Sequence, residues 1–112
     1  MPFQNTHERE IHFVKHGHKF GVPNATEYER MADEFMFGPM LWDTQECVRS
    51  IGLLGTQDRV RFGFRNHHQG IACVTPQFLR TFHPVELRFI AARGGEARYF
   101  AYQCGRIGGV DL

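Results

Sequence analysis

Tyr28, Met31, Ala32, Phe35 and Met36 recur at spacings of three and four, with mostly polar residues between them. That spacing makes one apolar stripe on a helix, so "NATEYERMADEFMFG", from Asn24 to Gly38, is expected to be helical and to face a core. Asn24 or Thr26 can cap its start, with Glu27 or Glu29 three residues on. An earlier helix is expected to open at Asn5 or Thr6, with Glu8 and Glu10 in the first turn, where the helix dipole favours acids. Gly17 or Gly21 can stop it. After Gly55 the period changes to two. In "DRVRFGFRN", Val60, Phe62 and Phe64 alternate with Arg59, Arg61, Gly63 and Arg65, which predicts a strand with an apolar face and an arginine face. "NHHQG" reads as a turn, "GIACVT" as a second strand, Pro76-Gln77 as another turn and "FLRTFH" as a third strand. The result is an antiparallel meander. The segment from Gly38 to Gly55 shows neither period and suits a short helix or irregular packing around Trp42. "ELRFIAA" fits strand or helix, and "GGEARYFAYQCG" is expected to form a last helix. Helices before a sheet predict an α+β fold, one domain over residues 1–112, with N-terminal helices packed on one face of a twisted antiparallel β-sheet.

Composition narrows the classes. Hydrophobic residues make up 42% of the 112, and eleven are Phe, so a small packed core is expected rather than disorder. A net charge of +1 argues against a strongly basic, non-specific nucleic-acid binder but leaves room for a local basic site. No apolar run is long enough for a membrane-spanning helix, and "MPFQNTHERE" has no signal-peptide character. Cys47, Cys73 and Cys104 are odd in number and widely spaced, so free thiols are expected, with neither a disulfide framework nor a zinc knuckle.

The stretch "EIHFVKHGHKFG" gathers His12, Lys15, His16, His18 and Lys19. On a helix His12, Lys15, His16 and Lys19 fall on one side, Phe13 and Val14 point elsewhere as anchors, and His18 lies nearer the apolar side as a hydrogen-bonded structural residue. Three readings of the histidine face compete. It can be a solvated polar face. It can be a metal site through histidines four apart, although the lysines would repel the ion and no HExxH, DxD or CxxC completes a ligand set. It can be a metal-free acid–base set, with imidazoles carrying protons and lysine holding an anion.

The order of motifs resembles a group of bacterial toxin nuclease domains with the fold shared by barnase, EndoU, colicin-type tRNases and RelE. The carriers are Lys15-His16-Gly17, Glu27-Tyr28 with Ala32 and Phe35, the turn at Gly70, and Arg80-Thr81-Phe82 before Pro84. "ARYFAYQ" is similar to the aromatic segment that closes such domains. The match covers residues 10–84 and a weak tail. The stretch from Gly38 to Gly55 is longer than that pattern, and residues 85–96 look like an insertion.

The resemblance implies a metal-independent endoribonuclease toxin that cleaves tRNA or other RNA by 2′-hydroxyl attack. No cofactor is implied. His16 would be the general acid or base, Lys15 would support the phosphate, Arg80 and Thr81 would bind it, and His12 would be a second proton carrier or a supporting residue. His83 and Tyr102 are further candidates. It also implies a cognate immunity protein, no membrane partner, and action in the bacterial cytoplasm after delivery as the C-terminal part of a secreted toxin. A non-catalytic RNA- or protein-binding module of the same fold is the alternative, and a histidine metal protein a third. The residues themselves allow other readings: Arg80 can snorkel among Phe78 and Phe82, and in a regular strand Thr81 faces away from Arg80, so a shared site needs a bulge. The arginines 59, 61 and 65 can track an RNA backbone or be an ordinary solvated face.

Overall fold

A computed structural model describes residues 3–50 and 56–105 of the chain. In chain order the elements are α1 (Thr6–His12), a π-helical turn (Phe13–Gly17), α2 (His18–Phe20), α3 (Ala25–Phe37), β1 (Thr44–Ser50), β2 (Gln57–Gly63), β3 (His68–Cys73), β4 (Phe78–Pro84), α4 (Leu87–Arg93) and α5 (Glu96–Gly105). The strands form one antiparallel sheet in the order β1-β2-β3-β4, which confirms the α+β class and the meander. β1 replaces the short helix or irregular packing expected after Gly38, and Ile51–Gly55 of that segment lie outside the described residues. Trp42 organises no core there; it is 81% exposed.

α3 starts where Asn24 caps it, its side chain accepting the Glu27 N–H at 2.9 Å. Its predicted stripe is buried at Tyr28, Ala32 and Met36 and half-buried at Met31 and Phe35. Those residues pack on Ala72, Leu79 and Phe82 of the sheet and on Phe3, forming the larger core. Gly70 lies beneath Met36, where a Cβ would collide with the sulfur, so glycine allows α3 its close approach.

The sheet is covered on both faces rather than one. Cross-strand pairing sets Phe62 opposite Gln69, on the face away from Gly70 and Phe82. There Phe62 packs with Val85, Ile90 and Tyr99 of the C-terminal helical region, a second core. Tyr99 donates from its hydroxyl to Gln69 at 2.8 Å, and Gln103 donates to Tyr99 at 3.2 Å, so the polar groups buried there are paired.

The predicted arginine face is roofed over at Arg61, while Arg59 is half-buried and Arg65 exposed. Arg61 is 8% exposed. Its guanidinium donates to the Phe35 and Gly38 carbonyls, at 3.0 and 2.8 Å, and to Glu46 at 2.6 Å. It therefore satisfies the orphan carbonyls at the end of α3 and matches the negative pole of that helix. Arg59 pairs with the same Glu46 at 3.3 Å, and Arg65 lies over the Trp42 ring.

The free-thiol expectation fails for two of three cysteines. Cys47 of β1 and Cys104 of α5 form a disulfide across 57 residues; Cys73 is free and buried. Nothing in the spacing announces the pair, because it depends on α5 folding back over β1. Arg49 of β1 also donates to the Gln103 carbonyl at 2.8 Å, so α5 is tied twice to this edge. Closing a loop of that length is worth roughly 4 kcal/mol through the unfolded chain. Urea unfolding with and without dithiothreitol should show a loss of that order, reproduced by Cys104→Ser. Coincident transitions in both conditions would contradict the tie.

Candidate functional site

α1 begins at Asn5, whose side chain accepts the Glu8 N–H at 2.8 Å, and runs into the π-helical turn without a break. A π turn carries an extra residue and is often retained where side chains must be re-aimed. Gly17 is buried inside it, with Phe13 lying where a Cβ would project. The helix ends at Gly21, whose φ of 69° is a conformation suited to glycine.

This segment aligns a column of rings. His12 stacks on Phe3 with centroids 5.2 Å apart, and Phe3 stacks on Tyr28 at 5.9 Å. His16 follows His12 at 6.1 Å, and His83 of β4 follows His16 at 5.0 Å. Three imidazoles thus stand in a row, with His16 in the middle. His12 Nε2 lies 3.7 Å from Glu8. His83 Nδ1 is 3.1 Å from the Pro84 carbonyl. A carbonyl only accepts, so His83 carries its proton on Nδ1, and Nε2 of the neutral ring is an acceptor. Nδ1 of His16 is buried without a partner. A buried bare acceptor is tolerated better than a buried N–H, which puts the neutral His16 proton on Nε2.

Lys15 and Lys19 are exposed and form no ion pair among the described residues. Burial, then the charges of His83, Lys19, His12 and Lys15, push the His16 imidazole down to about 4. Burial also lowers His12, with Glu8 opposing and Lys15 and His83 adding to the effect. His83 is lowered by burial and by Lys19, against its bond to Pro84. All three rings are therefore neutral at pH 7, and an arriving anion would meet two unpaired cations and a set of imidazoles that gain protons as negative charge approaches.

The remaining predicted residues lie differently. His18 is exposed, not a buried structural histidine, and Val14 is 74% exposed rather than an anchor; Phe13 does pack on the core. β4 is bulged: Ile71 pairs Thr81 and Ala72 pairs Leu79, so Arg80 is the extra residue. The bulge the Arg80–Thr81 pair required is present, and it sends both Leu79 and Phe82 into the core. Arg80, however, is committed elsewhere. Its Nε donates at 2.8 Å to Asp58, whose side chain is 4% exposed, and its guanidinium lies over Phe78. Arg80 reaches the histidine row only at its margin, sharing a small cleft of about 160 Å³ with Glu8, the partner of His12. Thr81 is half-buried beside the bulge, and Tyr102 lies under the Arg93 guanidinium. His83 is the residue the motif reading underrated. Its signal was its place one residue after Phe82, on a strand the helix segment would have to meet.

Among the described residues no group of three or more His, Cys, Asp or Glu side chains is arranged to hold a metal ion. No helix among them is long and apolar enough to cross a membrane.

Two measurements follow from these charges. Removing Arg80 leaves Asp58 buried and unpaired, so Arg80→Ala should cost roughly 2–3 kcal/mol, and much less in an Asp58→Asn background. A double-mutant cycle with no coupling would rule out the structural role. Because the three imidazoles are held below the ordinary value of 6.5, the unfolded chain binds protons first on acidification. Their contribution to stability is complete above 6.5 and is lost as pH falls towards 4. Melting temperatures should drop across that window, less steeply in His16→Gln, and equal slopes for both proteins would refute the assignment.

No family model, curated protein or solved structure matches the chain in comparisons of sequence and fold.

Proposed function

We propose that the protein is a metal-independent endoribonuclease of the bacterial toxin type. The observation that carries the reading is the row His12–His16–His83, with neighbouring rings 6.1 and 5.0 Å apart and unpaired Lys15 and Lys19 acting on it. The α+β fold, and the resemblance of the ordered motifs to those of the barnase, EndoU, colicin and RelE group, support it. In this reading the lysines hold the scissile phosphate. His83 Nε2 accepts the 2′-hydroxyl proton, and the 2′-oxygen attacks phosphorus. The bond to the 5′-oxygen breaks, and His16 delivers a proton to that oxygen from Nε2. The products are a 2′,3′-cyclic phosphate and a 5′-hydroxyl. His16 is neutral in the free protein; the bound phosphate raises its proton affinity, so that it takes up a second proton from water on binding. It is the imidazolium when it gives up the Nε2 proton, returning to the neutral ring. His12, braced by Phe3 and Glu8, positions His16. Phosphate binding is assigned here to the lysines rather than to Arg80 and Thr81, because Arg80 gives its Nε–H to Asp58 and reaches the histidine row only through the cleft beside Glu8.

tRNA as substrate, a cognate immunity protein, and action in the bacterial cytoplasm after delivery from a secreted toxin belong to the same reading. The Cys47–Cys104 disulfide suits passage through an oxidising compartment. The alternative, a module that binds RNA without cutting it, is favoured by the net charge of +1 and by the low proton affinity of His16.

Incubation with total RNA in excess chelator should give cyclic-phosphate and 5′-hydroxyl ends. His16→Ala and His83→Ala should each slow cleavage by about a hundredfold or more while remaining folded. Intact RNA with folded wild-type protein, or cleavage undiminished in both variants, would end the proposal.

A further inference from the structure

A cavity of about 450 Å³ opens between α3 and the β3–β4 hairpin, with Phe35, Phe82, His68, Met31 and Leu41 in its walls. The size is that of a small-molecule site. The walls are aromatic and mutually braced. His68 meets Phe82 edge-on at 5.9 Å and Phe35 at 6.3 Å, while Phe20 stacks on Phe82 at 4.5 Å behind them. No lysine or arginine lines the space, and the Glu34 carboxylate at its border repels anions. Burial holds His68 below its ordinary proton affinity, against the pull of Asp43, so the wall is uncharged at neutral pH. The polar groups are few. Asn66 accepts the His68 N–H at 2.9 Å through its amide oxygen, which fixes the amide and leaves its NH₂ group to donate; Thr44 adds a hydroxyl. A fitting ligand is flat, uncharged and aromatic, with hydrogen-bond acceptors on its edge.

The cavity is also continuous in sequence with the histidine row. Phe82 and His83 are consecutive on β4, and Lys19 and Phe20 are consecutive at the end of α2. Phe82 lines the cavity and Phe20 stacks behind it, while their neighbours His83 and Lys19 belong to the histidine cluster. Phe82 and His83 leave opposite faces of the edge strand β4, so a bound RNA would bend around that edge. We propose that this cavity is a nucleobase subsite, which stacks a base of the RNA on Phe35 above the buried Phe82, across the β4 edge from the phosphate held by the lysines. The choice of a nucleobase over other flat rings rests on the ribonuclease reading.

Nucleosides test this without involving cleavage, because they contain no phosphodiester. Titrating ¹⁵N-labelled protein with adenosine, guanosine, cytidine and uridine should shift the amides of Leu41, Thr44, Asn66 and His68 saturably for at least one of them. Phe35→Ala should weaken that binding about tenfold. Leu41→Asp, a change at a rim residue that is 59% exposed and so outside the core, should weaken it as well and keeps the test valid if Phe35→Ala does not fold. Indole serves as the flat ring without a base's polar edge. No saturable shift with any nucleoside overturns the proposal, as does binding indifferent to Leu41→Asp, or indole bound where every nucleoside is refused. A protein that cuts RNA yet ignores nucleosides loses the subsite alone. One that binds nucleosides at this cavity without cutting keeps the subsite and loses the nuclease reading.

Discussion

The hydroxyl of Tyr28 donates to the main-chain carbonyl of Phe82, joining the first half of the chain to the last strand at the centre of the larger core. Tyr28 is fully buried, and burial raises the proton affinity of its phenolate, so the hydroxyl keeps its proton and remains a donor. Its ring touches Phe3, Phe13, Phe20 and Phe82. Three of those residues adjoin a member of the histidine row in sequence or in space: Phe3 supports His12, Phe13 opens the π turn holding His16, and Phe82 precedes His83. The row is thus the outer layer of a packed aromatic cluster. Its precision comes from the rigidity of that cluster, since rings in a dense core cannot shift independently.

The electrostatic design follows from the same burial. Apolar neighbours and nearby lysines keep the imidazoles neutral, which gives the site a high response to negative charge and a low charge of its own. Elsewhere, two buried charges are paired within the protein. Arg61 is held by Glu46 and two helix-end carbonyls, and Asp58 by Arg80. The four arginines that suggested RNA contacts in the sequence, at positions 59, 61, 65 and 80, have contacts within the protein. The cations available to a ligand beside the histidines are the exposed lysines instead. This is consistent with a near-zero net charge, because local field depends on which charges remain unpaired.

The C-terminal half holds the sheet from the other side. α5 covers Phe62, pairs its Tyr99 with Gln69 and joins β1 through the disulfide. β1, an edge strand, would otherwise be held by β2 alone. The order of the strands leaves β4 as the opposite edge, open for the N-terminal helices to lie against it. The segments that departed from the motif pattern, Gly38–Gly55 and 85–96, supply β1 and α4 and so help close the second face.

What the sequence determined by itself was local. The caps at Asn5 and Asn24, the α3 stripe, the period-two run ending near Phe64, the turn at Pro76-Gln77 and the last helix are legible because each depends on neighbours within a few residues. So was the clustering of His12, Lys15 and His16. The turn read at "NHHQG" falls earlier, at Phe64–Asn66, and Gly70 lies inside β3, paired on both sides and packed under Met36. What only the tertiary structure decided was everything that joins distant segments. The helices of the second half cover the sheet face that alternation had not assigned, and the disulfide depends on that arrangement. The β4 bulge puts Leu79 and Phe82 on one face, where strict alternation would separate them, because the ladder with β3 sets the register there. His83 joins the histidines, and Arg80 goes to Asp58, for the same reason: a side chain's partner is chosen by which elements pack together, and one sequence period describes only the face on which that side chain begins.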